Sequence, residues 1–256
     1  MFKKNGMNLF VVWMMFMLFI LGQIPVLANP PKDQATVDQA IKTLIENYIS
    51  EKGLTPENKI DVTVANKTIT LSGTVATLDV SNMLENYVRS IAESYSIDNQ
   101  LKLAGSSISD AKIADAVMQK LYNYVFYTVY DWVTVDVKDG VVTLKGWSNL
   151  PWGPRYFAKQ AEKVKGVKKV INDVQLAQGS DQIRERAARA IYTDPLFEWY
   201  AYQKNPPIHI IVQGDNVILE GVVDSQLEST HAYYDVLWNA DAVNITNNLV
   251  IKKSAQ

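Results

Sequence analysis

Two histidines, His209 and His231, are the chain's whole stock of imidazole, and cysteine is absent. Neither histidine has a second ligand at H-x-x-x-H spacing, so no metal centre is expected and no cofactor is implied. His209 stands between Ile208 and Ile210, opposite the apolar set of an alternating run, and His231 falls in a helical stretch. Both read as isolated surface or packing residues. Serine is plentiful, but the G-x-S-x-G elbow of a hydrolase is missing. Carboxylates can pair for acid–base work, yet no acidic residue recurs at one place in the chain's internal repeats, as a shared active site would require. A non-enzymatic protein with no catalytic residue is expected, with an envelope hydrolase as the minor alternative.

Glycine does recur. In VKDGVVTLKG, residues 137–146, Asp139-Gly140 makes the tight turn of a hairpin, and Gly146 follows without being required by that turn. Its relatives VANKTITLSG (64–73) and VQGDNVILEG (212–221) end on Gly73 and Gly221, so the three glycines lie 73 and 75 residues apart. A phosphate loop needs several glycines leading into a helix N-terminus, and no copy has them. Gly73, Gly146 and Gly221 are therefore assigned to structure, as a bulge or a close backbone approach.

The elements that position these glycines repeat with them. Alternation marks a strand entering each hairpin: Ile60, Val62 and Val64, then Val133, Val135 and Val137, then Ile208, Ile210 and Val212. Before it comes an amphipathic helix, with faces Val37/Ile41/Leu44/Tyr48, Ile113/Val117/Leu121 and Ile183/Ala187/Ala190, the first opened by a Thr36–Gln39 capping box. Eleven and fifteen residues after each glycine, the pairs Leu84/Val88, Phe157/Ala161 and Ala232/Val236 mark a second helix. Asn99, Asn172 and Asn247 lie 26 residues beyond the glycines and open a last short strand through Leu101, Val174 and Leu249. The fold class is α+β: three tandem αββαβ two-layer domains, each with two helices on one face of a three-stranded mixed sheet.

This pattern, a leading helix, V-x-V-x-x-G-x-V-x-L-x-G, a second helix and G-V-x-x-V-x-N-x-L, resembles the BON domain of bacterial envelope proteins, including osmotically inducible periplasmic ones. The second copy carries it most fully, with Gly166-Val167 and Val170-Ile-Asn172. The third has Asp241-Ala-Val243 in place of Gly-Val and a longer insertion before its first strand, and the first copy, with Ser94-Tyr-Ser-Ile97, departs further. Domains are expected at 33–104, 107–178 and 180–253. The resemblance implies association with the bacterial envelope, with phospholipid contact and stress protection as family themes.

Compartment is read from the first residues. Lys3 and Lys4 precede an apolar run from Leu9 to Leu21, and Val26-Leu-Ala28 ends in a cleavable small residue, so residues 1–28 read as a secretory signal. That run falls short of the roughly 20 apolar residues a membrane crossing needs, although a retained anchor is the rival reading. Export to a periplasm suits a chain without disulfides. Without Lys3 and Lys4 the chain has 23 basic against 27 acidic side chains. Neither this balance nor any copy, each lacking a GXXG loop, points to nucleic acid.

The second copy departs locally. After Trp147 comes Trp152 in Pro-Trp-Gly-Pro, and from Arg155 to Lys169 six basic residues face only Glu162. On a helical wheel Arg155, Lys159 and Lys163 fall within roughly 80° of one another. Trp147, Trp152, Arg155, Lys159 and Lys163 are the candidate contacts for an anionic phospholipid surface, each cation adding about 1 kcal/mol. A solvated helix face is the bland alternative. Aromatic residues crowd 122–132 and 196–202, where packing within or between repeats is expected. The competing partner is an envelope protein, bound through sheet edges and aromatic loops.

Overall fold

The computed structural model describes residues 33–105 and 108–253. The signal segment read at 1–28 lies outside them. Among the described residues no helix is long and apolar enough to cross a membrane. Repeat 1 runs α1 (Gln34–Glu51), β1 (Lys59–Ala65), β2 (Thr68–Val75), α2 (Leu78–Ile91) and β3 (Ser96–Leu103). Repeat 2 follows with α3 (Asp110–Tyr122), β4 (Trp132–Lys138), β5 (Val141–Ser148), α4 (Gly153–Glu162) and β6 (Lys169–Leu176). Repeat 3 has α5 (Asp181–Thr193), a 3₁₀ turn (Pro195–Phe197), α6 (Glu198–Ala201), β7 (Ile208–Gln213), β8 (Asn216–Val223), α7 (Gln226–Asn239), β9 (Asn244–Asn247) and β10 (Val250–Ile251).

Each repeat pairs its first two strands antiparallel and adds the last one parallel to the second, so the sheet is mixed and three strands wide. A parallel neighbour needs a crossover, which the second helix supplies. In repeat 3 the last strand is split into β9 and β10, both paired with β8. The Asn248 N–H still reaches the Leu219 carbonyl at 2.8 Å, so the sheet keeps its width.

Both helices of a repeat bury one stripe on the same sheet face. Ile45, Ile69, Leu71, Leu84 and Val88 are sealed from solvent in repeat 1, Val117, Leu121, Val142, Leu144 and Ala161 in repeat 2, and Ala187, Ile191, Ile210, Leu219, Ala232 and Val236 in repeat 3. Fully burying a Leu, Ile or Val is worth about 1.5–3 kcal/mol, so three separate cores of this kind each supply the main drive for their own module. Three helix details differ from the sequence reading. The face of α1 is Ile41, Ile45 and Ile49, while Leu44 is half exposed. Its N-cap is Asp33, whose carboxylate accepts the Thr36 N–H at 2.7 Å, so Thr36 and Gln39 are inside the helix and form no capping box. On α5 the third core residue is Ile191, larger than the neighbouring Ala190 and better able to fill the space under the sheet.

Gly73, Gly146 and Gly221 share one geometry. Their φ values are +109°, +126° and +128°, and a Cβ on each would lie 2.1, 2.0 or 1.9 Å from the carbonyl oxygen of Lys59, Trp132 or Pro207. Any side chain there would drive the first strand of the hairpin away from the second. A second shared device ties the last strand to the second helix. Asn99, Asn172 and Asn247 each accept from the backbone N–H two residues on, at 3.2, 3.4 and 3.1 Å. Each side-chain amide also donates to the residue 18 positions earlier, Ser81, Pro154 or Ser229, at 3.2, 2.9 and 2.9 Å.

Candidate functional site

Trp152 is held out to solvent by what lies beneath it. Asp131 is buried, and its carboxylate accepts from the Ser148 hydroxyl at 2.8 Å, the Asn149 N–H at 2.9 Å, the Thr128 N–H at 3.0 Å and the Thr128 hydroxyl at 3.1 Å. A buried carboxylate is tolerated when its lone pairs are satisfied in this way. Ser148 is thereby fixed, and Gly153 packs on it so closely that a Cβ would lie 1.8 Å from the Ser148 Oγ. With Gly153 turned inward and Pro154 starting α4, the adjacent Trp152 projects outward, 52% exposed.

Trp152, Arg155, Tyr156 and Lys159 form one wall of an open groove of about 960 Å³ whose other wall is Asn82, Glu85 and Asn86 of α2. Arg155 is exposed. Lys159 is not a free cation, as the helical wheel implied: it pairs with Asp79 of repeat 1 at 2.6 Å and with Glu162 at 3.4 Å. Burial works against its charge, but pairing with Asp79 and then Glu162 outweighs burial and holds its pKa above that of ordinary lysine. Lys163 caps the C-terminus of α4 and is exposed. Lys165 meets Glu57 of repeat 1 at 3.2 Å. The run of six cations is therefore partly spent on the junction with repeat 1, a use that no pattern within repeat 2 reveals.

Trp147 is separated from Trp152. Strand alternation places it with Thr143 and Lys145 on the sheet face opposite Val142 and Leu144, paired across the hairpin with Trp132. On that face repeat 3 meets repeat 2. The His209 ring lies 4.9 Å from Trp132 and 5.9 Å from Tyr127, and the Ile210 N–H donates to the Val129 carbonyl at 2.7 Å. Both faces of β7 are consequently buried, where the sequence alternation implied one. His209 is a packing residue between repeats, and burial lowers its pKa to about 4, against the weaker pull of the Asp131 and Thr128 carbonyls. His231 stays exposed on α7.

The aromatic segments divide. Tyr127, Phe197 and Tyr200 are buried, as packing requires; Val125, Phe126, Trp199 and Tyr202 are exposed. The chain also holds one S-x-x-K spacing, Ser109 and Lys112, that the sequence reading passed over. Ser109 caps α3 and both side chains face solvent, an arrangement that supplies no buried base beside a nucleophile. Among the described residues no group of three or more His, Cys, Asp or Glu side chains is placed to hold a metal ion.

Three modules that share shape-keeping glycines and asparagines define a tandem-repeat protein of the α+β class. The family model described as BON domain matches residues 37–105, 109–178 and 181–253. The chain belongs to the BON domain family, in three copies, and the family points to an envelope-related binding role. Comparison with curated proteins gives no match. Among the solved structures to which the chain is similar are two of CdsD, a structural protein of the type III secretion system of Chlamydia trachomatis. The C-terminal domain structure shares 13% identity over 86% of this chain and 100% of that one, with a TM-score of 0.26. The second shares 14% over 81% of this chain and 90% of that one, with a TM-score of 0.24.

Proposed function

We propose that this chain is a non-enzymatic periplasmic protein, exported by a cleaved leader, that contacts anionic phospholipid surfaces and supports envelope integrity or stress tolerance. The observation that carries this reading is Trp152, half exposed beside the exposed Arg155 at the rim of the groove on repeat 2. A tryptophan at the headgroup level and a cation on anionic lipid are complementary interactions. Arg155 and Lys163 supply the charge. Lys159 contributes indirectly by fixing α4 against repeat 1, and Trp147 takes no part at this surface. Two cations and one indole give weak, reversible contact that fades at high salt. Co-sedimentation with vesicles tests it: binding to phosphatidylglycerol vesicles and not to phosphatidylcholine vesicles is expected, with loss in an Arg155→Glu, Lys163→Glu variant. Equal binding to both lipids, or an unaffected variant, overturns the electrostatic reading.

A protein-interaction scaffold is favoured by a different observation. Helix α7 exposes Leu227, Tyr234 and Trp238 along one stripe and contains no Lys or Arg. Such a face suits a protein partner better than an anionic surface. A photo-crosslinker at position 238 distinguishes the readings: one discrete protein adduct in envelope vesicles, unchanged when the lipid is exchanged, supports the scaffold.

A further inference from the structure

In repeats 2 and 3 the segment between the first helix and the first strand carries large apolar residues that do not go inside. Val125 is 80% exposed, Phe126 52%, Trp199 74% and Tyr202 78%. The corresponding stretch of repeat 1, residues 52–58, has no aromatic residue, and its Leu54 packs against the core of that repeat. Exposing this much aromatic surface is unfavourable in water, and the folded repeats do not use it for their own cores.

The two segments are brought together by tertiary structure. The Lys204 ammonium donates to the Asn123 side-chain oxygen at 2.7 Å, and a few residues further on the Ile210 N–H bonds to the Val129 carbonyl at 2.7 Å. The pair also lies at the same end of repeat 2 as Trp152. Phe126 packs edge-on against Tyr124, with ring centroids 5.5 Å apart, and Tyr124 stacks at 3.7 Å on Tyr156, one turn along α4 from Trp152. Lys120 in the last turn of α3 and Lys204 are both exposed and form no ion pair among the described residues, whereas the acids of the 194–207 stretch are Glu198, which is exposed, and Asp194, which is half-buried and accepts the Leu196 N–H. Lys204 is held by a neutral oxygen, so its charge is not cancelled.

We infer that the 123–126 and 199–204 segments form a second membrane-contacting patch, in which Phe126, Trp199 and Tyr202 enter the interfacial region of an anionic bilayer and Lys120 and Lys204 meet its phosphates. Tryptophan and tyrosine suit that depth because each has an apolar ring and a polar tip, and the lysine stems can lie along the apolar zone with the ammonium outside. The patch extends the reading given to Trp152 and rests on it in one respect, that the chain faces a membrane. Because repeats 2 and 3 are tied by backbone bonds, both contacts reach the surface as one rigid unit, and the second contact forms at high effective concentration once the first is made.

The test uses the mature chain, vesicles of phosphatidylglycerol with phosphatidylethanolamine, and two variants. One carries Phe126→Ser, Trp199→Ser and Tyr202→Ser; the other carries Trp152→Ser and Arg155→Glu. All five side chains are exposed or half-exposed, and an unchanged melting curve verifies folding. The loop variant is expected to bind about tenfold more weakly or worse, and Lys204→Gln alone about fivefold more weakly. Brominated lipid is expected to quench the wild-type tryptophan emission more than that of Trp199→Phe. If the loop variant binds like wild type while the Trp152 variant is weakened, the loop patch is overturned and the contact at Trp152 stands. If the loop variant is weakened and the Trp152 variant is not, the loop patch stands and the contact at Trp152 falls. A wild-type chain that ignores these vesicles overturns both.

Discussion

Where repeat 1 meets repeat 2, the contacts are made by side chains: Lys159 to Asp79 at 2.6 Å and Lys165 to Glu57 at 3.2 Å, beside an open groove, with Leu78 adding an apolar contact. Where repeat 2 meets repeat 3 the backbone itself is shared. The Ile210 N–H bonds to the Val129 carbonyl at 2.7 Å and the Gly214 N–H to the Gln178 carbonyl at 2.7 Å. His209 fills the space against Trp132 and Tyr127, and the Arg184 guanidinium lies 5.7 Å from the ring centre of Tyr130, which packs on the core of repeat 3. An exposed ion pair such as Lys165–Glu57 is worth about 0–1 kcal/mol and weakens with salt, whereas the bond from the buried Ile210 and the apolar packing around it are not screened. One module, built three times, is therefore joined in two ways: repeats 2 and 3 act as a single unit and repeat 1 is held more loosely. The surfaces proposed for membrane contact all lie on the tightly joined pair.

The strongest way to break this contrast is at the shared glycine. Gly146→Val would place a Cβ against the Trp132 carbonyl at a φ that a β-branched residue rarely adopts. A loss of more than about 3 kcal/mol is expected, with repeats 2 and 3 unfolding together in calorimetry and hydrogen exchange. Gly73→Val should melt repeat 1 and leave protection in the other two. Equal loss of protection across all three repeats in that variant would mean that the looser junction is as cooperative as the tight one.

Acid tests the second junction. His209 is buried neutral, with its Nδ1 lacking a hydrogen-bond partner, and its pKa is lowered to about 4 from 6.5. A histidine lowered on folding gives stability that is full above the unfolded pKa and declines as pH falls from 6.5 towards 4. The shift corresponds to about 3 kcal/mol at most, and it should appear as a pH-dependent drop in the melting temperature of the repeat 2–3 unit. His209→Leu should flatten that part of the profile. An unchanged slope in this variant would assign the acid response to other groups.

The smallest effect belongs to the ionic junction. Glu57→Ala, which removes the exposed partner of Lys165, should cost about 1 kcal/mol or less at low salt and nothing measurable at high salt, read as the melting of repeat 1. Its effect on the repeat 2–3 unit should be nil, and a shift there would join the two junctions into one.

Much of this fold was legible in the chain. The alternating strands, the paired helix positions Leu84/Val88, Phe157/Ala161 and Ala232/Val236, and the glycine and asparagine spacings are local patterns repeated three times, and a pattern repeated at a fixed period reports the backbone that it fits. Errors fell where local signals compete. Leu44 is as apolar as Ile45, and Thr36 resembles a cap, but packing selected Ile45 and the chain entered α1 through Asp33. The candidate site was less legible. Arg155 and Trp152 could be read from the Pro-Trp-Gly-Pro segment and the helix wheel, but the exposed Phe126, Trp199 and Tyr202 read as core because aromatic residues are used for both purposes.

By itself the sequence determined the module, because strand alternation, helix period and a residue without a side chain at a crowded backbone are satisfied within some 70 residues. The tertiary structure alone decided the use of each surface: that Lys159 is spent on Asp79, that His209 is sealed by repeat 2, and that two distant aromatic loops stand side by side. Contacts between modules depend on their relative placement, and side chains that meet only after folding leave no periodic signal in the chain.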